Sequence, residues 1–463
     1  MFFGKLKKIL NHIIKKLDSK YNDSDGVAMS YIDIQKVIDE AKVNNFHLKV
    51  MFWCFFILII DGYDIAVAGT AIPSIMEEMG VTATTAGFMA SSALFGMMFG
   101  AAFFGGIAEK IGRRYTIAIC IFLFSGFTAL SGLSKDPYTF SILRFVAGLG
   151  IGGVFPTCVA HMTEFAPKKI RSFMTTMMFS GYAVGGILAA VIGKQFIVQY
   201  GWQVVFFAAG VPIFFIPLII KMLPESLIFL HKKNNLEGVH ATMKLIAPQE
   251  NISTTTLFKF PENAQSKSAP VAQLFQDGRQ LSTLMFWVAF FTGLFMIYAL
   301  STWLTKLMAL SGYNLGSALS FVISLNIGAV LGCAIGGWLG DRFSIKWVAV
   351  TMYFLGGIFL YAMTLNFSST MLYIIIALVG ACSTGAQIVV YAYCGQFYPM
   401  NVRSTGIGMA GGIGRLGAIL APLIIGYIVS LNLPLEQNFL IIATMGIIGA
   451  IGLSFIDHKK TTV

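Results

Sequence analysis

The chain has 463 residues, of which 56% are hydrophobic and only 11% charged, whereas soluble domains carry roughly 25% charged residues. That composition excludes a water-soluble enzyme and predicts an all-α polytopic membrane protein. The net charge of +11 raises nucleic acid as a partner, and its distribution removes it, because the cations sort by membrane side rather than gathering into one patch.

Apolar segments long enough to span a bilayer lie near residues 50–75, 84–107, 115–133, 138–160, 172–193, 203–221, 281–305, 317–340, 347–366, 371–395, 405–430 and 438–456. They are numbered 1 to 12 in chain order. Of the 32 Lys and Arg, only Lys135, Lys194 and Lys306 fall in connections on the side away from the termini, and Arg144 and Arg415 lie inside segments. The excess of the rest on the terminal side predicts that both termini are cytoplasmic. The expected division is a tail over 1–49, a first six-helix half over 50–222, a linker over 223–280, a second half over 281–456 and a C-terminal tail over 457–463.

In the tail, Phe2 to Leu17 interleaves apolar residues with Lys5, Lys7, Lys8, Lys15 and Lys16. This reads either as a basic amphipathic helix on the inner leaflet or as a solvated tail. No cleavable signal peptide is visible. Segment 1 carries I-I-D-G-Y-D, with Asp61 and Asp64 three residues apart and so on one helical face. A carboxylate in hydrocarbon costs at least about 2.5 kcal/mol, so such residues usually face a bundle interior and mark an ion or substrate path. Two acids this close disfavour joint ionisation, which suits a proton carrier. The plainer alternative is that Asp61 caps a helix break at Gly62.

After segment 2 the chain reads G-G-I-A-E-K-I-G-R-R from Gly105 to Arg114, and after segment 8 it reads G-W-L-G-D-R-F-S-I-K from Gly337 to Lys346. Positive-inside bias explains the bases but not Glu109 or Asp341. An inner gate is expected, built from Gly105, Glu109, Gly112, Arg113, Arg114, Asp341 and Arg342, with Arg171 and Arg403 as partners of the acids. Glu164, at the inner end of segment 4, is expected to pair with Arg171. Segment 4 also carries Arg144 and a run of glycines for close packing. At about 1.5 Å per residue, Asp64 lies roughly 21 Å from the inner end of its segment and Arg144 roughly 9 Å from the outer end of its own. In a core about 30 Å thick the two share a level, while Asp61 and Arg415 both come out near the midplane. In the second half Tyr298, Gln387 and Tyr391 offer polar and aromatic groups for a ligand cavity.

An offset of 232 superposes Gly96 on Gly328, Gly100 on Gly332, Gly148 on Gly380, Pro167 on Pro399, Arg171 on Arg403 and Gly185 on Gly417 without a gap. That register predicts two pseudo-symmetric six-helix halves from duplication, a transporter plan with the site between the halves. All six Cys fall inside segments without metal-type spacing, so disulfides are not expected. No nucleotide loop, zinc motif or nucleophile motif is present, so neither enzymatic activity nor a cofactor or metal is expected.

The loop from Gly105 to Arg114 resembles the signature between helices 2 and 3 of the major facilitator superfamily, and the second half repeats it. Within it, Asp61-Gly62-Tyr63-Asp64, Asn45-Phe46-His47, Phe52-Trp53-Cys54 and Ala71-Ile72-Pro73 resemble the bacterial aromatic acid:proton symporter family. The resemblance implies twelve helices with 1, 4, 7 and 10 around the cavity, Asp61 and Asp64 as essential acids, and Arg144 and Arg415 as membrane-embedded bases. It implies a monomeric transport unit in the bacterial inner membrane whose partners are protons, a benzoate-like or hydroxybenzoate-like carboxylate and the lipid bilayer. Arg144 is expected to recognise the substrate carboxylate in competition with Asp64, because a guanidinium forks onto two oxygens. An exporter or exchanger of organic anions or drugs, a sugar porter and a non-transporting sensor are the alternatives. Symport accounts for accumulation best, since an inside-negative potential opposes anion entry by about 2.3 kcal/mol per 100 mV.

Overall fold

The structure, a computed structural model, describes residues 31–250, 252, 256–259, 271–365, 367–399 and 402–458. The basic stretch Phe2 to Leu17 and the linker prolines Pro261 and Pro270 lie outside them. Twelve helices are long and apolar enough to cross a membrane among these residues. In the first half they are α1 Asn45–Met79, α2 Ala83–Ile111, α3 Arg113–Ser131, α4 Pro137–Phe165, α5 Arg171–Tyr200 and α6 Gln203–Met222. In the second they are α7 Gln280–Leu310, α8 Leu315–Arg342, α9 Ile345–Ala362, α10 Ser369–Phe397, α11 Arg403–Ser430 and α12 Leu435–Ser454.

Local chemistry sets the ends. α1 starts at Asn45 rather than near residue 50 because Asn44 caps it, its side chain accepting from the amides of Phe46 at 2.9 Å and His47 at 3.4 Å while His47 Nδ1 accepts from the Asn44 amide at 3.3 Å. α6 is interrupted by a tighter turn at Val211–Phe215, where Pro212 removes a helical donor. α10 widens into a single π-turn at Ala381–Gly385, which rotates every later side chain relative to a continuous α-helix.

The two halves repeat one packing scheme, α2 on α4 and α1 on α5 in the first, α8 on α10 and α7 on α11 in the second. The repeated glycines explain why. A Cβ on Gly96 or Gly148 would lie 2.0 Å from a backbone oxygen of the facing helix, and one on Gly328 or Gly380 would lie 1.8 or 1.9 Å from its counterpart. Backbone-to-backbone approach needs those positions bare. Around the outside, Phe52, Phe99, Phe103, Ile142, Phe214 and Trp347 are among many large apolar side chains left exposed, as a lipid-facing surface requires.

The first and second halves touch through α1 and α7, α2 and α11, and α5 and α8. Along α2 and α11 the bridges run from the face away from the termini to mid-depth. Thr84 donates to Ser430 at 3.0 Å, Ser91 to the Ile419 carbonyl at 2.9 Å and Arg415 to the Met97 carbonyl at 3.1 Å. Nearer the terminal face, a Cβ built on Gly105, Gly106, Gly408 or Gly412 would meet nothing within 4 Å. The halves are joined at the far face and splayed at the terminal face.

Beneath the first half, the tail and linker form a small module. Tyr31–Asp33 pairs in parallel with Leu257–Lys259, and helix Ile34–Glu40 buries Ile34 and Ile38 beside Val239, Met243 and Ile246 of helix Leu236–Ile246. Over residues 31–44 the N-terminal tail is packed onto the linker.

Candidate functional site

α1 runs unbroken through Gly62, so Asp61 does not cap a helix break. Gly62 serves another purpose. A Cβ there would lie 2.3 Å from the Tyr182 carbonyl oxygen of α5, so its absence lets α5 press close to the acids. Asp61 and Asp64 are wholly buried, at 0% and 1% exposure.

Their partners differ. Arg144, itself 1% exposed, donates from Nη1 to Asp64 Oδ2 at 3.1 Å and to Thr128 Oγ1 at 2.6 Å, and from Nη2 to the Asp64 carbonyl at 3.0 Å. Residues counted to one level from opposite ends thus meet. Asp61 forms no ion pair among the described residues; the Tyr182 hydroxyl donates to its Oδ2. One oxygen of each acid, Asp61 Oδ1 and Asp64 Oδ1, is buried without a hydrogen-bond partner, a costly state for an ionised carboxylate.

Arg415 is half-buried and spends one hydrogen bond on the Met97 carbonyl across the gap between halves. Asp61, Tyr298 and Tyr391 lie within electrostatic reach of it. The surrounding rings include Phe290, edge-on to Tyr391 at 4.5 Å, and Phe155, edge-on to Tyr182 at 5.8 Å. Beside Arg144 the space is small. A void of about 10 Å³ is lined by Ala68, Leu94, Met97, Arg144, Tyr298 and Thr302, room for about one water. Gln387 is not brought to this gap. The π-turn before it aims its side chain at α9, where Oε1 takes the Tyr353 hydroxyl at 2.7 Å, and the residue is 3% exposed.

At the terminal face the pairs differ from those expected. Glu164 pairs with Arg113, not Arg171, and accepts from Ser226 Oγ at 3.0 Å and the Leu227 amide at 2.8 Å. Arg171 pairs with Asp39 of the tail module and donates to the Ala166 carbonyl. Glu109 is exposed and has no ion pair among the described residues. The expected pairing of Glu109 with Arg171 is not formed in this structure, where Arg171 is taken by Asp39. Asp341 and Arg342 are exposed, Arg342 lying over the Trp338 ring, and Arg403 donates to the Tyr398 carbonyl at 3.2 Å. Gly112 has φ +95° and faces Glu225, whose Oε1 accepts from the Arg113 amide at 2.8 Å. Gly105 stands open at the same face, and Arg114 lies over the Tyr115 ring.

Four contacts of charged groups went unread in the sequence. Tyr182, Thr128, Asp39 and Glu225 each complete a charged group, and only Tyr182 had a signal, its place in the α5 glycine face between Gly181 and Gly185.

Two six-helix halves around a buried layer of acids, arginines and phenols define a secondary transporter. The profile of the Major Facilitator Superfamily matches residues 54–337 and 326–462, and the chain belongs to that family. It is 44% identical over 435 residues to the benzoate transport protein of Acinetobacter baylyi, covering 93% of each chain. It is 32% identical to the gentisate transporter of Corynebacterium glutamicum, covering 88% of this chain and 87% of that one. In fold it is similar to the partially occluded inward-open xylose transporter XylE of E. coli, with a TM-score of 0.70 at 16% identity, covering 91% of this chain and all of that one.

Proposed function

We propose that the protein imports small aromatic monocarboxylates of the benzoate or hydroxybenzoate type together with protons, by alternating access, from a bacterial inner membrane in which its terminal face is cytoplasmic. The charge bias supports that orientation. The splayed state is then inward-open.

One observation carries the mechanism: the two membrane arginines are unequally satisfied. Arg144 is enclosed with three hydrogen bonds to Asp64 and Thr128, so it holds Asp64 as a fixed pair. Arg415 gives one bond to a main-chain carbonyl, which an arriving carboxylate outcompetes, because hydrogen bonds between charged groups are roughly twice as strong as neutral ones. The carboxylate therefore docks on Arg415, with the ring among Tyr298, Tyr391 and Phe290. This moves the recognition role from Arg144, the expected residue, to Arg415. Asp61, buried on a single phenol, carries the transported proton: an incoming anion occupies the cation within its reach, and charging Asp61 beside that anion would cost like-charge repulsion. Freed from the Met97 carbonyl, Arg415 also releases one bridge between the halves. That ties binding to rearrangement.

Uptake of radiolabelled benzoate into proteoliposomes tests the reading. Accumulation above the equilibrium level driven by an imposed inward pH gradient, and abolished by a protonophore, is expected. Equilibration without gradient-driven accumulation would overturn symport.

A further inference from the structure

At the far face, outside the closed seam, a cavity of about 450 Å³ is lined by Pro73, Ser74, Met76, Glu77 and Val81 from the end of α1 and the turn after it, by Lys306 and Ala309 of α7, and by Leu315 of α8. Its size falls in the range of small-molecule sites. One turn before Pro73 on α1 the halves meet closely, since a Cβ on Gly69 would lie 1.9 Å from the Ser301 carbonyl oxygen. Lys306 is half-buried in the wall and makes no ion pair or hydrogen bond among the described residues. Of the other two lysines expected on that side, Lys194 already donates to Ser320 at 2.8 Å, and Lys135 follows α3. An unspent ammonium beside Pro73, Met76, Val81, Ala309 and Leu315 is the chemistry that fits a small anion with an apolar body. Glu77, exposed at the wall, excludes dianions more strongly than monoanions.

We infer that this cavity is an outer capture site for aromatic monocarboxylates, in which Lys306 pairs with the carboxylate while the ring lies on the apolar wall. The inference rests on the proposed substrate class and orientation. A ligand held there waits at the α1–α7 seam, so that opening delivers it to Arg415 without a second encounter from solution. The site raises local substrate concentration at the outer face and lowers the KM of influx; substrate leaving the cell loads from the terminal face and does not use it for capture.

Two measurements test it on the full chain. In right-side-out membrane vesicles, Lys306→Gln is expected to raise the KM for benzoate influx about fivefold or more with maximal rate unchanged, to leave the KM of efflux from preloaded vesicles unchanged, and to be rescued by Lys306→Arg. An unchanged influx KM, or equal effects on influx and efflux, overturns the capture site while leaving symport intact. Independently of transport, benzoate is expected to slow labelling of Ala309→Cys by an impermeant maleimide, and to fail to do so once Lys306→Gln is added. Absence of protection in the single variant overturns the site. If protection occurs but benzoate is not transported, the site stands and the substrate reading falls.

Discussion

At matched positions the two halves carry opposite chemistry. Shifted by 232, Asp61, Asp64, Thr128, Arg144 and Tyr182 fall on Gly293, Met296, Leu360, Ile376 and Gly414, while Arg415 falls back on Ala183. The first half thus buries an ionisable network, and the second replaces it with apolar residues and a single arginine. At Gly293, the place of Asp61, a Cβ would lie 2.0 Å from both Gln387 Oε1 and the Tyr353 hydroxyl: a neutral hydrogen-bonded pair fills the space the acid would need. The terminal face repeats the contrast. Glu164 and Arg113 have Gln396 and Ile345 as counterparts, so that ion pair has no equivalent below the second half. One scaffold is used twice, and buried charge is concentrated in its first copy. Under the proposed function, the first half would handle the proton and the second would recognise the anion.

The largest effect expected is from Asp61→Asn, which removes the unpaired acid of the charged half. Gradient-driven accumulation should fall to background while benzoate counterflow persists, as read by isotope exchange across proteoliposomes. Residual accumulation would show that Asp61 is not the sole proton carrier, with Asp64 the next acid to test. Next, Gly293→Ala should destabilise the second half by about 1–3 kcal/mol through overpacking against Gln387 and Tyr353, seen as a lower melting temperature in detergent. Gly293→Ala combined with Gln387→Ala should recover much of it, because the clash is with side chains.

Tyr182→Phe deletes the one hydrogen-bond donor that Asp61 has among the described residues. A bond to a charged group is worth about 1.5–3 kcal/mol, so initial uptake rates should drop roughly tenfold with expression unchanged. The smallest effect is expected at Asp39. Its pair with Arg171 is about one-quarter exposed on each side, and exposed pairs contribute about 1 kcal/mol or less, so Asp39→Asn should leave transport within about twofold and shift the melting temperature slightly.

The spans, the duplication and the level shared by Asp64 and Arg144 were legible because hydropathy, glycine register and helical rise are properties of the chain itself. The hydroxyls of Thr128 and Tyr182 were not, since many Thr and Tyr line these helices and only the packed faces single out two of them. Gln387 misled for a local reason. A π-turn at Ala381–Gly385 leaves no clear mark in hydrophobic periodicity, yet it decides which neighbour the next turn faces. Arg171 misled for a distant one: Asp39 reaches it from the N-terminal tail, because the strand that fixes that tail comes from the linker more than two hundred residues later. Arg144 was expected to bind substrate from its charge and depth alone. Its three hydrogen bonds to Asp64 and Thr128, which leave Nε buried without a partner, could be seen only in three dimensions.

The division between halves is tested most directly by measuring proton uptake and benzoate binding together, using a pH indicator and equilibrium dialysis on purified protein in weakly buffered detergent. The account predicts that the unmodified chain takes up protons as benzoate binds, that Asp61→Asn binds benzoate without proton uptake, and that Arg415→Gln binds no benzoate while Arg144→Lys, if folded, still does. Undiminished benzoate affinity in Arg415→Gln, or undiminished proton uptake in Asp61→Asn, would contradict it.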